Sequence, residues 1–151
     1  MSEDLSKAVH AVVRDCLGVK ANEEVLIICN PATQVLGEAM RAEAASVGAE
    51  SVLAVMIERA SHAGEPPATL AAAMIAADVV LAPTVQSLSH TAARKLASES
   101  GTRIATLPGA TSESIFGSAT VSRMPAMPPT ACITSGSSMN EKRIVSSPCT
   151  K

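Results

Sequence analysis

Residues 77–95 read ADVVLAPTVQSLSHTAARK, and the fold turns on how this stretch is understood. An acidic residue opens a run of four apolar ones. A proline breaks the run, a Ser/Thr patch carrying His90 follows, and an Ala/Arg/Lys pattern of helical character takes over. A buried strand, a turn and a helix fit this order, which is half of a βαβ unit. In open parallel sheets ligands gather where strands end and helices begin, because first-turn N–H groups and the positive end of the helix dipole face outward there. The candidate substrate- or anion-binding residues are therefore Thr84, Ser87, Ser89 and His90.

The flanking sequence repeats the same grammar. Leu5, Ala8, Val9, Val12, Val13, Cys16 and Leu17 recur at three- and four-residue spacing, with Glu3 and Asp4 in the first turn and Gly18 beyond the end, so a first amphipathic helix is expected. Val25 to Cys29 (VLIIC) reads as a strand buried on both faces. Asn30-Pro31-Ala32-Thr33 closes it and Thr33 can cap a second helix, whose stripe is Leu36, Ala39, Met40, Ala44 and Val47. Ser51 to Ile57 is a second strand. The polar loop Glu58 to Pro67 leads into an alanine-rich third helix, Ala68 to Ala77, with a proline at its start. Asp78 to Ala82 is the third strand, His90 to Ser100 a fourth helix capped by Ser89 or Ser87, and Arg103 to Leu107 a fourth strand ended by Pro108-Gly109.

Alternating helices and strands predict a three-layer, doubly wound, Rossmann-like α/β domain with a parallel sheet of about four strands in the order 2-1-3-4. The first helix precedes the first strand, and the pattern does not place it. Residues 1–116 form this domain. Residues 117–151 are rich in Ser, Thr, Pro and Met without apolar periodicity, a composition expected to be disordered. Such an abrupt change also fits translation out of frame after about residue 120.

Composition narrows the function. The chain has 151 residues, 47% hydrophobic and 17% charged, with Phe116 its single aromatic residue. Of 12 basic and 14 acidic side chains, 4 and 1 fall in residues 121–151, leaving 8 and 13 before them. A nucleic-acid partner would want a dense basic stripe or aromatic platforms, and neither is present. No apolar run approaches the roughly 20 residues that span a bilayer. The N-terminus MSEDLSKAVH is acidic where a signal peptide is basic and then apolar, so a cytoplasmic location is expected.

Cys16, Cys29, Cys132 and Cys149 lack zinc-site spacing; Cys16 and Cys29 read as small buried hydrophobes in a reducing compartment. There is no G-x-x-x-x-G-K-[ST], G-x-G-x-x-G, H-E-x-x-H or G-x-S-x-G. His90 stands where it could act as a base or bind a carboxylate together with Thr84, although a histidine that only hydrogen-bonds locally is the more ordinary account of the residue. His10 belongs to the polar side of its helix and His62 to an exposed loop. A metal site would need His90 with distant carboxylates such as Glu58 or Glu113. Arg94 and Lys95 could reach an anion or simply form a solvated helix face.

Three segments, EPP before the alanine-rich helix, ADVVLAPTVQSLSHTAARK and GTRIATLPGATSES, resemble the N-terminal domain of thermophilic-type metallo-aminopeptidases, the family of leucyl aminopeptidase and aminopeptidase T. The resemblance runs from about Leu5 to Ile115 and is densest at S-x-S-H-T-x-A-R and R-I-A-T-L-P-G. It implies hydrolysis of N-terminal residues from peptide substrates by a site with two divalent metal ions, commonly in a homodimer, and it extends to related iron-dependent ring-cleaving dioxygenases. The family's metal ligands belong to a C-terminal catalytic domain that has no counterpart here. No catalytic or metal-binding residue carries over. The resemblance thus implies an N-terminal domain or truncated fragment lacking its catalytic partner domain. A small-metabolite or anion-binding α/β module is the alternative that the strand-end residues allow.

Overall fold

In the computed structural model, which describes residues 3–110, four parallel strands form one sheet. They are β1 (Glu24–Cys29), β2 (Glu50–Val55), β3 (Val79–Ala82) and β4 (Arg103–Thr106), in the order β2-β1-β3-β4. The order 2-1-3-4 expected from the alternating pattern is the one observed. The domain limit at residue 116 and the Ser/Pro-rich stretch 117–151 lie outside the described residues.

The two faces of the sheet have separate cores. Val25 and Ile27 of β1 and Val79 and Leu81 of β3 pack with α1 (Glu3–His10) and α2 (Gln34–Ser46) through Leu5, Val9, Leu36 and Met40. Leu26, Ile28, Val80 and Ala82 alternate to the other face, against Met74 of α3 (Ala68–Ala76) and Ala93 and Ala97 of α4 (Ala92–Glu99). Double-sided burial explains why β1 and β3 are written as continuous apolar runs. β2 is an edge strand, paired only to β1 across Glu24↔Glu50 to Cys29↔Val55, and its Val52 and Val55 remain exposed.

The first helix, which the sequence pattern left unplaced, lies on the α2 side. Arg14 bridges to Glu43 of α2 (Nε to Oε1, 2.5 Å) and donates to Ser46 Oγ at 2.9 Å, and His10 Nδ1 lies 3.1 Å from the same Glu43 oxygen. Arg103 at the start of β4 holds the far end: its Nη1 donates to the carbonyls of Leu17 and Gly18, and its Nη2 pairs with Glu23 at 2.6 Å.

The expected single α-helix is not uniform, because Ala11–Cys16 winds as a π-helix after His10. The wider i→i+5 turn keeps both Val12 and Val13 on the core and carries Cys16 off it. Cys16 is consequently exposed, and the α-helical periodicity that buried it fails there.

Cys29 ends β1 with no exposed surface, facing Gly37 of α2. A Cβ on Gly37 would stand 2.9 Å from Leu53 Cδ1 and 3.1 Å from Cys29 Sγ, so this glycine sets how closely α2 lies on the sheet. Burial, with the Glu38 carboxylate adding to it, holds the Cys29 thiol above its ordinary pKa.

Two outcomes follow from this contact. Gly37→Val should lower unfolding stability by about 1–3 kcal/mol in urea titration, the usual range for an overpacked core. The raised thiol pKa has a definite sign in pH: the unfolded thiol ionises first, so the unfolded state binds fewer protons once the pH passes the ordinary thiol range near about 8.5. Stability should be unaffected by Cys29 at lower pH and fall with alkaline pH, and Cys29→Ala should flatten that fall between about pH 8 and 10.

Candidate functional site

The carboxyl ends of β1 and β3 flank the position where the strand order reverses, the usual ligand crevice of a doubly wound sheet. The chain fills it with its own polar groups. Asn30, 1% exposed, donates from Nδ2 to the Met56 carbonyl just past β2 and accepts on Oδ1 from the Val85 N–H beyond β3, both at 2.9 Å. Its own N–H donates to Thr33 Oγ1 at 3.0 Å, and that hydroxyl donates to the Pro83 carbonyl at 2.5 Å. One asparagine and one threonine therefore lash three strand ends together. The short 3₁₀ turn Pro31–Thr33 positions both before α2 begins.

The loop between β3 and α4 carries the four candidate residues. Thr84 is buried and donates to the Gln86 carbonyl at 2.6 Å, while its own carbonyl accepts from the Gly109 N–H after β4. Ser87 Oγ donates to Ser89 Oγ at 2.9 Å and accepts from the Ser89 N–H, and Ser89 Oγ shares a proton with Thr106 Oγ1 at 2.7 Å. These three side chains are tied into the chain. His90 is exposed beside them.

Helix α4 starts at Ala92, so His90 lies before the helix rather than in it. The cap is Thr91, whose Oγ1 accepts from the Arg94 N–H at 3.2 Å, and not Ser87 or Ser89. Thr91 is preferred because its backbone is extended, φ −80° and ψ 150°, and its hydroxyl already donates to the Leu88 carbonyl. The serines serve the loop. Lys95, 76% exposed, sits 3.9 Å from Glu99 one turn on, as on a solvated helix face.

What the sequence pattern did not reveal is that the start of α4 is already occupied. Glu65, from the loop before α3, accepts from the Ala92 and Ala93 N–H groups at 2.5 and 3.2 Å, supplying the anion that the helix dipole favours. The same loop is clamped twice more. His62 Nδ1 accepts from the Ser87 N–H at 3.0 Å, which fixes its proton on Nε2, and the Ala63 N–H donates to the Ser87 carbonyl at 2.8 Å. Ala63 takes φ +61° to allow both. Glu65 and His62 lie 27 and 25 residues from their partners, and no periodicity encodes such pairings.

Among the described residues no group of three His, Cys, Asp or Glu comes together that could hold a metal ion. His90 and Glu58 therefore do not form the metal site considered from the sequence, and Glu113 lies outside the described residues. No helix of the described residues is long and apolar enough to cross a membrane.

No protein-family model matches the chain, and a search of curated proteins finds no match. Comparison with solved structures finds 2,5-dihydroxypyridine dioxygenase from Pseudomonas putida KT2440, with a TM-score of 0.56 and 18% identity over 72% of this chain. The match covers 36% of the dioxygenase, so the chain spans about a third of the length of the protein it resembles. That likeness shows a shared fold.

It also corrects the resemblance to metallo-aminopeptidases, because the structural match is a dioxygenase and no family model supports a peptidase. The peptidase, hydrolase and proteolysis expectations fall with it. The physical reason is visible in the segments that carried the resemblance. S-x-S-H-T-x-A-R builds a loop and the Thr91 cap, and R-I-A-T-L-P-G builds β4 and its Pro-Gly stop. Both serve local structure, and neither distinguishes a peptidase from another doubly wound protein.

Asn30 provides the sharpest test of this strand-end network. Asn30→Ala should cost about 1–3 kcal/mol for each buried group left unpaired, read by chemical denaturation. Asn30→Asp keeps the acceptor for Val85 but places a carboxylate against the Met56 carbonyl. Its stability should recover as the pH falls and the carboxyl, once protonated, can donate there.

Proposed function

We propose that this chain is the N-terminal supporting domain of a protein built like a ring-cleaving dioxygenase, with the reacting groups carried by a further C-terminal domain. The observation that carries the reading is the structural match, which takes in most of this chain and about a third of the dioxygenase. The strand-end hydrogen-bond network supports it. With Asn30, Thr33 and Glu65 occupying the strand ends and the start of α4, the described residues offer a rigid wall rather than a reaction centre. Thr84, Ser87 and Ser89 stiffen that wall, and exposed His90 stands on its rim, where it would meet the companion domain.

An iron ion would belong to that companion domain. The described residues do not fit one, since no three potential ligands converge, and no step of ring cleavage is assigned to them.

The test has two parts. Oxygen uptake with 2,5-dihydroxypyridine and ferrous iron should show no turnover by the 151-residue chain; turnover would overturn the proposal. The encoding DNA, read in the other two frames beyond codon 120, should contain a long continuation with clustered Glu, His and Asp codons. Its absence from both frames would remove the companion domain and the reading with it.

A further inference from the structure

We propose that β2 is a docking edge for a second copy of this chain. The two β2 strands would pair antiparallel about a two-fold axis at Leu53 and join two four-stranded sheets into one.

The phase of the β1–β2 ladder shows which backbone groups of β2 are open. The Glu50 N–H donates to the Glu23 carbonyl at 2.9 Å and the Met56 N–H to the Cys29 carbonyl at 2.8 Å, one at each end of the pairing. Bonds in a parallel ladder fall on alternate residues. Glu50, Val52 and Ala54 are therefore turned to β1, and Ser51, Leu53 and Val55 hold their N–H and C=O groups outward. Among the described residues β1 is the only strand beside β2.

Edge strands are ordinarily blunted by shortness, charge, proline or a bulge. β4, the other edge of the described sheet, follows that rule: it has four residues, begins at Arg103 and is soon followed by Pro108. β2 has six residues in unbroken one-to-one register with β1, no proline, and Glu50 as its single charge. Val52 and Val55 are 62% and 46% exposed along it, and Ile57, just past its end, is 84% exposed.

The partner is identified by how well this edge complements itself. With the axis at Leu53, Ser51 of one copy stands opposite Val55 of the other and Leu53 opposite Leu53, so every outward N–H and C=O of the strand finds a partner. On the opposite face of the pleat Val52 meets Ala54 of the second copy, and Glu50 meets Met56 rather than an acid. Moving the axis to Ala54 would set Glu50 against Glu58, and moving it to Val52 would leave Val55 beyond the second copy's strand.

The helix layer admits the same pairing. Gly37 touches both Leu53 of β2 and Cys29 of β1, so α2 lies over the seam between the two strands. Its image across the axis would then lie about 10 Å away, an ordinary spacing for packed helices. Glu38 and Arg41 on α2 already neutralise each other at 2.9 Å, so no like-charged rim opposes the approach. One strand edge and one helix make a small interface, of the size found in transient association. This inference does not depend on the dioxygenase reading, because every residue it uses belongs to β2, its neighbours in sequence, or α2.

The experiment is sedimentation equilibrium of the full 151-residue chain from about 10 μM to about 1 mM, the affinity range of weak interfaces, with amide hydrogen exchange at both ends of the range. A reversible monomer–dimer equilibrium is expected. The Ser51, Leu53 and Val55 amides should exchange at least tenfold more slowly in the dimer, and those of Val52 and Ala54, already bonded to β1, should change least. Val52→Lys brings two like charges near the axis and should weaken association at least tenfold. A monomer throughout would leave the edge to a different partner and overturn the proposal. Association beyond two copies, a dimer whose Ser51, Leu53 and Val55 amides exchange as in the monomer, or a folded Val52→Lys protein that associates unchanged would each overturn it as well. The exchange measurement uses unmodified protein and decides the matter even if the variant does not fold.

Discussion

The carboxamide of Asn30 is the point on which the strand ends converge. A parallel sheet brings its strands together from distant parts of the chain, and their ends are not joined by hairpins that fix register on their own. Here one side chain donates to the end of β2 and accepts from the segment after β3, while its backbone fixes Thr33 and through it Pro83. The partners are 26 and 55 residues away along the chain. Buried and fully paired, such a network favours one strand order, since any exchange of neighbours would leave an amide unpaired in the interior. The same pairing places polar groups of the chain itself at the strand ends, where doubly wound proteins commonly hold their ligands.

Much of the fold was legible because it depends on local patterns. VLIIC and DVVLA are apolar at every position from the second residue on, which only a strand covered on both faces requires, and the order 2-1-3-4 follows from right-handed crossovers once four such strands are recognised. The departures occur where local pattern loses authority. The π winding from Ala11 preserves burial of Val12 and Val13 and sacrifices Cys16, a choice made by the packing surface of the sheet and not by spacing. The start of α4 lies at Ala92 rather than His90 because Thr91, extended in backbone, caps the Arg94 N–H while the Ser87 and Ser89 hydroxyls are engaged within the loop. Glu65, His62 and Asn30 act across 25 residues or more, where periodicity is silent.

The family resemblance went astray for a related reason. Its densest segments encode a cap, a loop and a strand stop, features that physics imposes on every chain of this architecture and that therefore carry little information about chemistry. A likeness to a dioxygenase at 18% identity is subject to the same limit, and what it shows is the fold.

The two helix starts on the α3/α4 face make the clearest contrast in the molecule. Both leave the open N–H groups inherent in any helix, and a single loop, residues 58–67, passes both. Its glutamate is carried to α4 by the pairing of His62 and Ala63 with Ser87, a direction set by the left-handed backbone at Ala63. Its arginine stays beyond the end of β2, its stem against Gly64 and its Nε without a hydrogen-bond partner. Had the loop run the other way, Glu65 and Arg59 could have neutralised each other. Because it does not, the start of α4 is met by a carboxylate of the chain itself, while the start of α3 has neither a side-chain cap nor an acidic residue in its first turn.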